Sequence, residues 1–301
     1  MKGWVGCQRC RVPGKRRFLF SVVDIGLTIF STDLSMSVPE LAREAEARGF
    51  SSLYLPEHTH IPVSRLTPAP TGEAVLPEEY KRTLDPFVAL ATAAAVTDSI
   101  RLGTAVCLLA QRDPVVTAKV AATVDLVSDG RLVFGIGFGW NKEEMATHGV
   151  EFRERRELVR EKMLAIEELW SCEEAAFDGE RVHFEPSWSW PKPVQRPRPP
   201  VLIGGAAGPK MFAHIAEYAD GWMPIGGAGV AEALPRLHEA MEAAGRDPGG
   251  LRVVAVGVVP DEAKLDHYRS IGITEVALRL PPAPAPVVMR ALDDYLPFLG
   301  Q

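Results

Sequence analysis

The 301-residue sequence predicts an α/β chain folded as a (β/α)8 barrel, with insertions after the second strand and before the fifth. Three observations point there. Apolar, β-branched segments alternate from residue 22 onward with longer stretches of helical periodicity, the pattern of repeated βα units around a parallel sheet. Eight segments of each kind can be placed, which favours a closed barrel over an open doubly wound sheet. No linker divides the chain, so residues 1–20 form a basic N-terminal extension and residues 21–301 a single barrel domain.

The strands, in order, are VVDIGLTIF from residue 22, SSLYLPEH from 51, IRLGTAVCLL from 100, RLVFGIGFG from 131, PVLIGG from 200, GWMPIG from 221, LRVVAVGVV from 251 and ITEVALRL from 273. Helices follow them, beginning near Pro39, Asp85, Asp113, Phe152, Pro209, Val230, Glu262 and Pro286. The fourth, FRERRELVREKMLAIEELW, spaces Leu158, Met163, Ile166 and Trp170 as one apolar stripe among charges, which makes it an outer helix. Asp-Gly pairs at 129–130 and 220–221 mark turns between a helix and the next strand, at the N-terminal face of the barrel. Two connections are long. Residues 59–84 leave the C-terminal face after strand two, and residues 171–200, which contain FDGERVHF as a candidate hairpin, precede strand five.

A hydrophobic fraction of 47% with charges of both signs describes a globular chain, and a net charge of −6 gives no global reason to expect nucleic acid as a partner. No apolar run is long enough to cross a bilayer, so no membrane partner is expected. The first seventeen residues carry six basic side chains and no acid but lack the apolar segment of a secretory signal, which leaves the cytoplasm as the expected compartment. Cys7 and Cys10 form a C-x-x-C without a second Cys/His pair at zinc spacing, and Cys107 and Cys172 stand apart, as in a reducing compartment. No metal-ligand constellation and no G-x-S-x-G occur.

In a barrel of this kind function sits at the C-terminal ends of the strands. Those ends hold Glu57 and His58 after strand two, Ala105 to Leu109 on strand three, Gly139, Trp140 and Asn141 on strand four, GGAAGPK after strand five, IGGAG after strand six and Arg279 on strand eight. His58 is the candidate acid or base, since histidine is the side chain suited to proton transfer at neutral pH, with Glu57 orienting it; a satisfied structural histidine is the competing reading. Strand alternation puts the two on opposite faces, so one of them points into the mouth. Glycines at 135, 137 and 139 bare one face of strand four, which calls for the close approach of either a packed neighbour or a flat ligand. GGAAGPK runs from a strand into a helix with Pro209 in the first turn, and its bare amides suit an anion; a glycine-eased helix start explains the same residues. Arg279 suits either an anionic substrate or solvent.

Taken in order, LYLPEH, RLGTAV, DPVVTAKVAATVDLVSDGR, FGIGFGWNKEEMATHG, FRERRELVREKMLAIEELW, FDGERVHF and VLIGGAAGPKMFAHIAEYADGW resemble the luciferase-like monooxygenase superfamily, and within it the coenzyme F420-dependent branch. The resemblance covers about residues 22–299 and implies a TIM barrel with a flavin or deazaflavin ring at its mouth. It implies a non-proline cis peptide at Ala105–Val106 behind the ring. It places Gly139, Trp140 and Asn141 beside the cofactor, and gives Gly204, Gly205, Ala206, Ala207 and Gly208, with Gly226 and Gly227, the task of holding its phosphate and side chain. It makes His58, with Glu57, the catalytic pair. The activity implied is hydride transfer between coenzyme F420 and a small organic substrate, with an FMN-dependent, O2-using monooxygenase supplied by a separate reductase as the alternative. A flavin-binding barrel without turnover is a further one. Relatives often dimerise through neighbouring helices, and DPFVALATAAAVT and PVVTAKVAATVDLV are apolar beyond one stripe, as a homodimer would require; loops covering them within one chain would do as well.

Overall fold

A computed structural model describes residues 23–70, 72 and 75–299. The basic extension, residues 1–20, and its C-x-x-C therefore lie outside the described residues. Eight parallel strands close a barrel in the order β1-β10-β9-β8-β7-β4-β3-β2. They are β1 (Asp24–Thr28), β2 (Ser52–Leu55), β3 (Arg101–Thr104), β4 (Leu132–Gly137), β7 (Val201–Gly204), β8 (Gly221–Met223), β9 (Arg252–Val258) and β10 (Glu275–Arg279). Each lies within a segment expected to be a strand. The two remaining strands, β5 (Ala175–Asp178) and β6 (His183–Ser187), pair antiparallel as the hairpin anticipated in the second insertion. Glu161 fixes that hairpin to the outer helix beneath it, accepting from the Arg181 amide at 2.8 Å and the Val182 amide at 3.1 Å.

The helices are α1 (Val38–Ala47), α2 (Pro86–Ala94), α3 (Pro114–Val127), α4 (Lys142–Thr147), α5 (Arg155–Ser171), α6 (Pro209–Tyr218), α7 (Val230–Ala243), α8 (Glu262–Ser270) and α9 (Ala285–Tyr295). Two of them start on an Asp-Pro pair for a physical reason. Asp85 accepts from the Phe87 and Val88 amides and Asp113 from the Val116 amide, while Pro86 and Pro114 occupy a first-turn position whose amide has no helical partner. The short α4 was not expected from the sequence. It begins directly after β4, and its place at the mouth turns out to matter more than its length.

The main core lies between the barrel and its helices, and a smaller one fills the barrel itself: Tyr54, Val133, Leu202, Met223, Val254 and Ala277, with Ala105, Val106 and Val256 packed against them. On β4, Val133 faces this inner core, so by alternation Gly135 and Gly137 face it too. A Cβ on Gly135 would lie 2.0 Å from the Thr104 carbonyl oxygen, and one on Gly137 would lie 2.3 Å from Cγ2 of Val106. A Cβ on Gly204 would meet Cγ1 of Val106 at 2.5 Å. The bare face is therefore occupied by the barrel's own backbone and by Val106, whose peptide bond with Ala105 is cis. Of the two readings of the glycine series, close packing accounts for positions 135 and 137.

Candidate active site

The site is built on the end of β2. Glu57 and His58 follow the end of β2 and diverge to different partners. Glu57 turns to the outside of the strand end, where Oε1 accepts from Nε of Arg112 at 2.6 Å and Oε2 from the Leu108 amide at 2.7 Å. Arg112 also reaches Asp85, the cap of α2, at 2.5 Å. Burial pushes the Glu57 carboxyl above its ordinary range, opposed by the Arg112 guanidinium and the Leu108 amide. Glu57 thus ties the β2 loop to the loop after β3, and it does not orient His58, because alternation carries it to the opposite side.

The orienting group is Glu144. Its Oε2 lies 2.8 Å from Nδ1 of His58, and both side chains are buried. A carboxylate only accepts, so Nδ1 carries the hydrogen and Nε2 is left as the ring nitrogen that can take or give a proton. Glu144 reaches this position because Asn141 caps α4, its Oδ1 accepting from the Glu144 amide at 3.3 Å, which turns position 144 inward.

Two half-buried rings stand against His58, and a third packs behind them. The His58 imidazole lies 5.6 Å from the Trp140 ring at 75° and 5.3 Å from the Tyr80 ring at 42°. Tyr80 comes from a 3-10 turn, Glu78–Arg82, inside the 59–84 connection, and packs on Phe30 beyond the end of β1, with centroids 4.7 Å apart and the rings tilted by 39°. Arg65 of the same connection places its guanidinium 5.8 Å over Trp140. The connection is pinned on α4 by Glu143, which accepts from the Leu66 amide at 2.9 Å, the Thr67 amide at 3.2 Å and the Thr67 hydroxyl at 2.7 Å. Two consecutive acids on one short helix thus divide the work, Glu143 holding the loop and Glu144 the histidine. At the other end Arg279 pairs with Glu79 at 3.6 Å, tying the loop to β10.

The Leu66 amide, and after it the Thr67 hydroxyl, hold Glu143 at a pKa of about 2. A carboxyl held below its unfolded value contributes stability above about pH 4.3 and loses it as pH falls toward 2. The loop is therefore firmly docked through the neutral range. We expect Glu143→Ala to speed hydrogen exchange at the Leu66 and Thr67 amides about fivefold at neutral pH, with little change in the barrel strands; unchanged exchange at both amides would mean the loop is held otherwise.

The glycine loops lie on the neighbouring strands. Gly205, at φ +142°, accepts from the Trp222 indole N–H at 2.8 Å through its carbonyl, which fixes the turn before α6; Gly208 caps that helix with no side chain, and Ala206 and Ala207 are exposed. Gly226 accepts from the Tyr268 hydroxyl, and the Tyr268 ring fills the space beside Gly227. Open space faces the Cα of Gly208 and of Gly226. Gly139, at φ +76°, lies over the Met145 methyl and turns the chain from β4 into Trp140. The Nδ2 amide of Asn141 is buried without an acceptor, as is Oε1 of Glu144 without a donor. These residues fit a heterocyclic cofactor: a ring bearing both acceptors and N–H donors would satisfy the two orphaned atoms, and uncapped amides at the start of α6 suit an anionic tail. Sequence reasoning missed Glu144 and Tyr80 as members of the site.

A closed parallel barrel with an acid-paired histidine among rings at its C-terminal mouth defines a TIM-barrel enzyme of redox or acid–base chemistry. Its family is set by comparison: residues 35–262 match the luciferase-like monooxygenases, and the chain belongs to that family, whose members are F420- or flavin-dependent oxidoreductases and monooxygenases. An uncharacterized protein of Mycobacterium tuberculosis strain H37Rv is 47% identical over 259 residues, 85% of this chain and 91% of that protein. An F420-dependent glucose-6-phosphate dehydrogenase of Kineococcus radiotolerans is 33% identical over 178 residues, 56% of this chain and 52% of that enzyme. Among solved structures, a monooxygenase of Streptomyces bottropensis superposes with a TM-score of 0.75 at 20% identity, covering 92% of this chain and 98% of that one.

Proposed function

We propose that the protein exchanges hydride between coenzyme F420 and a small organic alcohol or carbonyl compound at the barrel mouth. The observation that carries it is the His58–Glu144 pair, which leaves one ring nitrogen for a substrate proton among apolar rings. Relatedness to an F420-dependent dehydrogenase favours the deazaflavin. When bound, that cofactor supplies a two-electron hydride acceptor or donor, so that an alcohol loses a carbinol hydride and its hydroxyl proton as it becomes a carbonyl.

His58 Nε2 takes the hydroxyl proton as the O–H bond breaks and the pair collapses into the new C=O bond; Glu144 stabilises the imidazolium formed and holds the ring against rotation. Trp140 and Tyr80 exclude water from this proton. Asn141 would offer its unpaired Nδ2–H to the cofactor ring, and the turn at Gly204 to Gly208, with Gly226, would receive the tail.

The test is a titration of the apo-protein with F420 and, separately, FMN, followed by cofactor fluorescence. We expect binding of F420 and at least tenfold weaker binding of FMN. The reverse order would favour the flavin monooxygenase reading, to which the similarity with a monooxygenase fold lends support.

We also propose a homodimer through α2 and α3, whose outer faces expose Val88, Val116, Leu126 and Val127. Val88→Glu with Val116→Glu should turn a dimer into a monomer in light scattering after size exclusion; a wild-type monomer rejects the proposal.

A further inference from the structure

We infer that the substrate carries an apolar ring next to its reacting carbon, an aryl or alicyclic secondary alcohol or the matching ketone, and that Phe30, Tyr80 and Trp140 select it. This rests on the oxidoreductase reading above and names its substrate class.

The rings come from three segments remote in sequence: the end of β1, the 59–84 connection and the end of β4. Tyr80 and Trp140 lie against His58, and Phe30 packs on Tyr80. Trp140 stands at 81° to Tyr80 with centroids 6.3 Å apart, and at 75° to the His58 ring. Two perpendicular aromatic walls form a corner in which a flat group lies along one ring and meets the other at its edge, the two favourable geometries for aromatic contact. All three rings are only half-buried, so part of each faces the mouth. The rim is apolar as well: Val63 and Leu66 of the connection are fully or nearly fully exposed, at 106% and 88%. Aliphatic side chains left in water beside an aromatic corner gain by closing over an apolar guest.

The charged groups near the mouth argue against the obvious alternative, a phosphorylated sugar. Such a dianion needs cations free to turn toward it, together with donors and acceptors for each hydroxyl. The arginines of the 59–84 connection, of the loop after β3 and of the end of β10 are already engaged. Arg112 holds Glu57 and Asp85, Arg82 holds Asp33 and Glu78, Arg279 faces Glu79, and Arg65 lies over Trp140 and donates to the Thr67 carbonyl. The His58 ring nitrogen at the corner suits one hydroxyl or carbonyl oxygen beside an apolar body.

The experiment compares 1-phenylethanol, cyclohexanol, 2-propanol and glucose 6-phosphate as reductants of oxidised F420 on the full-length enzyme, alongside binding of acetophenone and of F420 measured separately by fluorescence. We expect KM for 1-phenylethanol and cyclohexanol at least tenfold below that for 2-propanol, and no turnover of glucose 6-phosphate. Tyr80→Ala and Phe30→Ala should raise KM for 1-phenylethanol about tenfold more than they raise that for 2-propanol, a split that a merely misfolded loop would not give. Equal KM values across the three alcohols, or preference for glucose 6-phosphate, would overturn the inference. So would mutually exclusive binding of acetophenone and F420, since the corner would then belong to the cofactor. Should F420 fail to bind while acetophenone still binds and loses affinity in Tyr80→Ala, the cofactor reading fails and the ring-binding corner stands; should F420 bind and acetophenone not, only the present inference fails.

Discussion

His58→Ala is expected to lower kcat on the order of 10²- to 10⁴-fold while leaving F420 affinity within a few-fold, because the imidazole moves a proton and does not hold the cofactor. The partner substitution separates positioning from proton transfer. In Glu144→Gln the side chain keeps its shape but can present an amide N–H to Nδ1, which would favour the tautomer with its hydrogen on Nε2, unable to accept from an alcohol. We expect a smaller loss, about 10- to 100-fold in the alcohol-oxidation direction, and a displaced pH profile for kcat, since the imidazolium loses its carboxylate. The double variant should be no worse than His58→Ala alone, because two residues acting as one unit are not additive. Steady-state reduction of F420 over a pH series, with cofactor affinity taken from fluorescence, reads all three variants. Full additivity, or unchanged kcat in His58→Ala with F420 bound, would remove the histidine from the reaction and leave a cofactor-binding barrel.

The barrel was legible because each strand carries its own signal. A β-branched run such as RVVAVGV stands out from the amphipathic helices beside it, and Asp-Pro at 85–86 and 113–114 announces where two helices start. His58 was legible as a histidine at a strand end, and its separation from Glu57 followed from strand alternation. What could not be read was its partner. Glu144 stands 86 residues away on a helix of only six residues, too short to show a helical period. A signal was nevertheless present: Asn141 followed three residues later by Glu144 is the spacing of an N-terminal capping pair, which would have predicted a helix there and turned attention to the acid within it. Tyr80 offered no such sign. It sits in an irregular connection whose path depends on contacts with α4 and β10, set by Glu143 and by Arg279 with Glu79. The glycines of β4 were read correctly as requiring close approach, yet the identity of the approaching group, Val106 from the neighbouring strand end, depends on a register that no local pattern specifies.

Those glycines give the largest expected effect on stability. Gly135→Ala would set a methyl 2.0 Å from the Thr104 carbonyl oxygen and 2.7 Å from the Met223 sulfur. Methionine can swing aside; the carbonyl cannot, because β3 and β4 are locked together here, with the Thr104 hydroxyl donating to the Gly135 carbonyl at 2.6 Å and the Cys107 amide to the same oxygen at 2.8 Å. Relief requires parting two barrel strands, so the cost should reach about 3 kcal/mol or more. For a domain of this size that corresponds to a fall in Tm of roughly 6 to 12 °C. Gly137→Ala is a different case, since its obstacle is Cγ2 of Val106 at 2.3 Å, a side chain and not a backbone. Removing that methyl should restore the fit: Val106→Ala is expected to recover most of the Tm lost in Gly137→Ala and none of that lost in Gly135→Ala. Thermal unfolding of the four variants, the two glycine substitutions each with and without Val106→Ala, decides the matter. If Val106→Ala rescued both glycine substitutions alike, or neither, the inner face of β4 would not be packed as described, and the support it gives to Gly139, Trp140 and the mouth above would have to be assigned elsewhere.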